Sequence, residues 1–403
     1  MAVSTSEHKK LYLSVLIILL MMALLGCNLI SLPNVRQQEP TPTLPPTPTP
    51  IVIVVTPTPL PPEMIEAVDV EEQRVISVYQ RTSPAVVNIT TQVLRHSFFF
   101  GLIPEEGSGS GFVYDHGGHI ITNYHVVADA SEIVVSFGSD KELPAEIIGV
   151  DPLNDLAVLQ VDELPEGVEP IPLGDSDALQ VGQRAIAIGN PFGQFERTLT
   201  VGVVSAINRT VKTDEDQVLR GVIQTDAAIN RGNSGGPLLD SSGRLIGVNS
   251  ALFSPSGVSA GVGLAIPVNK LKRIVPELIQ NGRYPHPWLG IEGLGYDLYP
   301  ELAQALKLPV DQGLLIAQLY RNSPAVRAGL RGATEEIIYR RRRLLVGGDI
   351  LMAIDGAPLR NWDDLDAYLQ EQTEVGQTTT LTIWRGDQEV TIEVKLGEMP
   401  EGL

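Results

Sequence analysis

Cysteine is all but missing from this chain: Cys27 is the only one in 403 residues. A disulfide within the chain and a thiolate metal cluster are therefore both excluded. Positive charge is also short, with 29 Lys and Arg against 48 Asp and Glu for a net charge of −19. Too little basic surface remains to neutralise a phosphate backbone, so no nucleic-acid partner is expected. The sequence contains no His-Glu-x-x-His, and the glycines from Gly107 to Gly111 lack the lysine that a phosphate loop needs. No metal and no cofactor are expected on these grounds. Aromatic residues are sparse at 5%.

What is plentiful is Gly (38) and Pro (30), a composition that leans toward a β-rich fold with many turns. The chain opens with His8-Lys9-Lys10, an apolar run from Leu11 to Leu25, then Gly26-Cys27. This is the layout of an export signal, and it has two readings: a cleaved lipoprotein signal in which Cys27 is lipidated, or an uncleaved membrane anchor extended through Ile30. Either places the body of the protein outside the cytoplasm. From Gln38 to Pro62, Pro-Thr repeats interrupted by Ile51-Val52-Ile53-Val54-Val55 read as an extended spacer of about 25 residues, at about 3 Å each.

Helical spacing runs from Glu66 to Gln80. Short β-branched segments follow closely, among them Ala145 to Val150, Ala157 to Val161, Leu199 to Ile207 and Val222 to Thr225, as expected of a barrel or sandwich. An amphipathic helix from Val268 to Gln280, stopped by Asn281-Gly282, closes this unit. A smaller α+β unit runs from Tyr284 to about Leu396. The division expected is 1–27 signal or anchor, 28–65 linker, 66–283 first domain and 284–397 second domain.

The chemistry centres on Asn230-Arg231-Gly232-Asn233-Ser234-Gly235-Gly236-Pro237-Leu238. Glycines flanking one serine let its hydroxyl and nearby amides converge on a point, which suits a nucleophile beside an oxyanion hole; a plain turn between strands has the same composition. A nucleophilic serine needs a base and an acid that orients it. Of the histidines, His125 stands where a strand ends in a short turn. Asp155 heads the apolar strand Leu156-Ala157-Val158-Leu159, and Asp151, before Pro152, competes with it but reads as a turn residue.

His125, Asp155 and Ser234 occur in the chain order of chymotrypsin-type proteases. With Gly107-Ser108-Gly109-Ser110-Gly111, Thr122-Asn123-Tyr124-His125, Gly189-Asn190-Pro191-Phe192-Gly193 and Gln224-Thr225-Asp226 leading into the serine loop, the chain resembles the HtrA (Deg) family from about Tyr79 to its C-terminus. That resemblance implies a mainly β protein, a chymotrypsin-like double β-barrel protease domain followed by a small α+β PDZ domain. It also implies acyl transfer, with His125 as base, Asp155 orienting it, and the Gly232 and Ser234 amides receiving the oxyanion. The position six residues before the serine is Ala228, followed by Ile229. With Leu264 and Ile266 as a wall, the pocket carries no charge and suits small aliphatic side chains.

Trp288-Leu289-Gly290-Ile291 resembles the carboxylate-binding loop of a PDZ domain, which captures peptide C-termini. Asn322-Ser323-Pro324-Ala325 and Gly347-Gly348-Asp349-Ile350 fit the same pattern. A departure lies between Ala333 and Val346, an inserted hairpin with Arg340-Arg341-Arg342-Arg343 at its turn, readable as a phosphate or headgroup contact or as a solvated loop. The family further implies a homotrimer held near Gln73 to Tyr79. With the N-terminal signal or anchor, the lead expectation is an exported, membrane-tethered endopeptidase that degrades unfolded proteins in the bacterial envelope. The alternative is a peptide-binding chaperone or adaptor whose protease activity is dormant.

Overall fold

The computed structural model describes residues 62–97, 101–138, 141–190, 197–212, 218–250, 261–292 and 296–400. The expectations for Cys27, the apolar leader and the Pro/Thr spacer fall outside these residues. Among the described residues, no helix is long and apolar enough to cross a membrane.

Helix α1 (Pro62–Thr82) begins with proline in its first turn, where the missing amide hydrogen has no partner to lose, and so starts earlier than Glu66. Its C-terminal end docks through Val78, fully buried in the main core cluster. Two sheets follow. The first takes β1 (Val86–Ser97), β2 (Gly101–Val113), β3 (His119–Thr122), a one-turn helix α2 (Tyr124–Val127), β4 (Glu132–Ser136), β5 (Glu142–Pro144), β6 (Glu146–Asp151) and β7 (Leu156–Gln160). Its order is β5-β4-β1-β2-β3-β7-β6, all antiparallel. The second takes β8 (Arg184–Gly189), β9 (Thr198–Lys212), β10 (Val218–Thr225), β11 (Pro237–Leu239), β12 (Leu245–Ser250) and β13 (Gly263–Pro267), and it closes into a barrel. Strands β9 and β10 are longer than their β-branched cores suggest, because the irregular β9–β10 ladder extends the pair outward through polar residues.

Helix α3 (Val268–Asn281) buries Val268, Leu271, Ile274, Val275 and Leu278 and stops at Gly282, whose left-handed φ of 76° lets its amide cap the Leu278 carbonyl. The last third holds β14 (Pro287–Trp288), β15 (Tyr296–Leu298), α4 (Pro300–Leu306), β16 (Gly313–Leu315), α5 (Pro324–Arg327), a hairpin of β17 (Glu335–Tyr339) and β18 (Arg342–Val346), β19 (Ile350–Ile354), β20 (Ala357–Pro358), α6 (Trp362–Gln372), β21 (Thr378–Arg385), β22 (Gln388–Lys395) and β23 (Gly397–Glu398). It has its own core around Leu289, Leu314, Leu351, Leu365 and Leu381. Asp349 of the Gly-Gly-Asp motif is 1% exposed there; Arg385 donates to both its oxygens, at 2.7 and 2.6 Å. The bidentate geometry offsets the desolvation of both charges.

Residues 61–403 form one compact unit. Arg220 of β10, its side chain 9% exposed, donates from Nη2 to Asp363 and Asp366 of α6, at 2.9 Å each. Nearby, Lys270 of α3 donates to the Arg220 carbonyl at 3.0 Å. A cleft of about 540 Å³ opens between these elements. Burial pushes the Lys270 ammonium from its ordinary 10.5 down to about 8, against the pull of Glu371.

The unfolded chain therefore holds the Lys270 proton more tightly than the folded one. The buried charge destabilises the fold in full below about pH 8, and that penalty is relieved as pH rises toward 10.5. Lys270→Met should accordingly be stabilising relative to wild type at neutral pH, with the gap narrowing by about 2–3 kcal/mol by pH 10.5 in urea unfolding. A gap independent of pH would refute the assignment.

Candidate active site

His125 sits in α2, the short turn placed directly after β3, and Asp155 ends the turn between β6 and β7. Because β3 and β7 are neighbours, with Thr122 opposite Ala157, the two residues are brought side by side from 30 positions apart. His125 Nδ1 lies 2.9 Å from each Asp155 oxygen, and the His125 backbone amide donates to Oδ1 at 3.0 Å. Ser250, at the end of β12, donates its hydroxyl to Oδ2 at 3.2 Å, so the second sheet also contributes. The carboxylate is 1% exposed and fully engaged. Asp155 adopts a left-handed φ of 54°, a conformation Asp tolerates better than most residues and which costs about 1 kcal/mol. Asn123 anchors the backbone there by donating to the Asp155 carbonyl at 2.9 Å.

The rival acid, Asp151, does something else. It is 2% exposed, accepts from the Asn154 side chain at 2.7 Å, and lies 2.8 Å from His286 Nε2. It folds the turn that presents Asp155 and ties that turn to the segment leading into the last domain. The reading of Asp151 as a turn residue is right as far as it goes; its partner across the domains carried no sequence signal.

Ser234 is 5% exposed, in the loop before β11. Its loop is pressed against the His125 side of the site: Gly235 has φ 82°, and a β-carbon there would meet the Ser110 carbonyl and Thr122 Oγ1, each at 2.2 Å. Asn233 donates its amide to the Asn230 carbonyl at 3.0 Å while Gly232 has φ 97° and Arg231 is not left-handed. Together these define a type II turn with glycine at its third position, which sets the direction of the Arg231–Gly232 peptide. The Gly232 carbonyl accepts from the Ser110 hydroxyl at 2.5 Å, and the same hydroxyl oxygen accepts from the Asn190 amide at 2.8 Å. Ser110 thus joins β2 of the first sheet to the serine loop and to the end of β8. Its place in a Gly-Ser-Gly-Ser-Gly run was visible in the sequence, but its role was not.

The residues expected to form a pocket are only partly together. Ala228 is half-buried and Ile229 is 2% exposed, and Ile229 faces Gly263, where a β-carbon would lie 2.5 Å from Ile229 Cγ1. Leu264 instead packs with Leu219 and Val222, and Ile266 joins the main core. The two lie in separate clusters, on the face of β13 opposite Ala265.

In the last domain, Trp288, Leu289, Gly290 and Ile291 line a groove of about 110 Å³ with Trp362, Leu365 and Leu369 of α6. Gly290, at φ 84°, approaches Ser323 closely enough that a β-carbon would lie 2.2 Å from Ser323 Cβ. The protease-side residue Leu153, in the Asp151 to Asp155 turn, also lines this groove.

Residues 109–248 match the Trypsin-like peptidase domain family, and residues 294–396 match the PDZ domain family. The chain is 41% identical over 337 residues to "Protease Do-like 1, chloroplastic" of Arabidopsis thaliana, covering 83% of this chain and 74% of that one. The chain belongs to the HtrA family of serine endoproteases. It is also 37% identical over 289 residues to "Periplasmic serine endoprotease DegP" of Salmonella typhimurium, covering 72% of this chain and 56% of that one. The solved "HtrA-type protease AlgW with decapeptide" superposes with a TM-score of 0.66 at 33% identity, covering 81% of this protease and 99% of that chain. The fold expected from the sequence is thus the fold found, with trypsin-like and PDZ units in that order.

The crowding at Gly235 and the sharing of Ser110 generate one test. Gly235→Ala should lower stability by about 3 kcal/mol and abolish peptide hydrolysis. Ser110→Ala, which removes one hydroxyl from a fully buried junction, should cost about 1–3 kcal/mol and reduce kcat more than it raises KM. Thermal unfolding alongside peptidase kinetics reads both, and a Gly235→Ala enzyme with wild-type melting and turnover would contradict the packing.

Proposed function

We propose that this protease is an exported, membrane-tethered quality-control endopeptidase working through a Ser234-His125-Asp155 acyl-enzyme mechanism. The observation that carries this reading is the contact of His125 Nδ1 with both Asp155 oxygens at 2.9 Å. An ionised carboxylate only accepts, so it fixes the tautomer with hydrogen on Nδ1 and leaves Nε2 as the basic lone pair. His125 then takes the Ser234 proton as Oγ attacks the scissile carbonyl, and returns it to the leaving amine. Asp155 holds the ring and stabilises the imidazolium.

The oxyanion is received by the Gly232 and Ser234 amides. The type II turn at Asn230 to Asn233 supports this, since a type I turn would reverse the Arg231–Gly232 peptide and exchange an amide hydrogen for a carbonyl. Substrate side chains before the cut are small and aliphatic, because Ala228 and Ile229 offer neither charge nor depth. The second domain captures peptide C-termini at Trp288 to Ile291 and presents unfolded chains to the protease. The subunits assemble as a homotrimer through the α1 region, where Ile76 is 53% exposed. The N-terminal run, as a lipidated Cys27 or as an uncleaved anchor, tethers the protein to the cell membrane with its body outside the cytoplasm, a location in keeping with a relative named as periplasmic.

Ser234→Ala, His125→Ala and Asp155→Ala should each lose most of the turnover of casein, to a similar degree, since the three act as a unit. A fluorophosphonate probe should label wild type and not Ser234→Ala; a wild type that neither labels nor cuts casein would favour the chaperone or adaptor reading. Cleavage-site profiling should return Val, Ala and Ile before the cut. A clear preference for Lys or Arg there would refute the uncharged pocket.

A further inference from the structure

The hairpin of β17 and β18 is outside everything the peptidase mechanism uses. Its strands pair Tyr339 with Arg342 and Ile338 with Arg343, leaving Arg340 and Arg341 as a two-residue turn. Both turn residues are left-handed, with φ 47° and 68°. A turn of this kind favours Asn-Gly, and arginine is a poor substitute because its Cβ crowds the backbone. Local turn chemistry is therefore sacrificed to keep guanidinium groups at the tip. Four of the 29 basic residues of a strongly acidic chain stand here in sequence. Arg343 meets Glu336 at 3.4 Å with both side chains well exposed, a pair of the kind that contributes little, and Arg340 lies 5.3 Å from the Tyr339 ring centre. Directly beside them Ile338 is 79% exposed, the most exposed large apolar side chain among the described residues.

We infer that this tip docks on the anionic headgroups of the bilayer that holds the N-terminus, with the arginines at the phosphates and Ile338 reaching the acyl boundary. An apolar side chain flanked by arginines is the composition of an interfacial contact. The distant negative charge of the protein is screened beyond a Debye length of about 10 Å, so the local arginines decide the interaction. The inference rests on the tether proposed above, through the reach of the Pro/Thr spacer. Docking orients the second domain and its groove relative to the membrane.

The test uses the full-length chain carrying Ser234→Ala, to prevent self-digestion, on vesicles of phosphatidylcholine alone or with added phosphatidylglycerol. Trypsin cleavage after Arg340 to Arg343 is followed by mass spectrometry, and co-flotation with the neutral vesicles reads the tether separately. Cleavage at the tip should be about tenfold slower on the anionic vesicles, recover at high salt, and be less protected in Ile338→Ser. Equal cleavage on both vesicle types overturns the inference, as does protection by soluble polyglutamate without any lipid dependence, which would assign the tip to an acidic protein. Loss of flotation with neutral vesicles alone overturns the tether and leaves the cleavage comparison to decide the tip.

Discussion

A buried carboxylate must have its charge answered from every side, and Asp155 shows how much structure that demand recruits. One oxygen takes the backbone amide of His125, the other the hydroxyl of Ser250, and the imidazole reaches both. Those donors come from α2 of the first half and β12 of the second. The site can therefore exist only when both halves are folded and joined. The Ser110 hydroxyl makes a second such joint, linking β2 to the serine loop and to Asn190. Polar groups with no water to fall back on thus set the relative position of two sheets whose apolar packing alone would allow some sliding.

The sequence carried a large part of this. The β-branched segments, the closing helix with its Gly282 stop and the order His125, Asp155, Ser234 were readable because each depends on local periodicity or on a short motif. The preference for Asp155 over Asp151 followed from which acid directly precedes the apolar strand, and the contact with His125 falls on that residue. Less was legible where distant segments meet. Nothing in the neighbourhood of Ser250, Ser110 or Leu153 announces their partners, since those contacts arise from the closure of the sheets. The partners of Leu264 and Ile266 were equally silent in the sequence: Leu264 packs with Leu219 and Val222, and Ile266 joins the main core.

The junction between the two domains carries several polar contacts. Arg220 bridges two acids on α6, His286 meets Asp151, and Arg283 pairs with Glu398. Charged contacts of this kind are weaker than an apolar interface of equal size and respond to salt and to competing ligands. Helix α6 stands at the centre of this arrangement. One set of its side chains holds the protease through Arg220, while Trp362, Leu365 and Leu369 line the groove beside Trp288 to Ile291.

Leu153 gives the groove a wall that belongs to the other domain. It lies two residues from Asp155 in a turn knotted by Asp151, Asn154 and the Asp155 amide, a stretch with almost no slack. Whatever enters the groove therefore meets a surface of the protease domain as well. The two domains cannot vary independently at this seam: a bulkier residue at 153 would be felt at the carboxylate that holds the His125 ring.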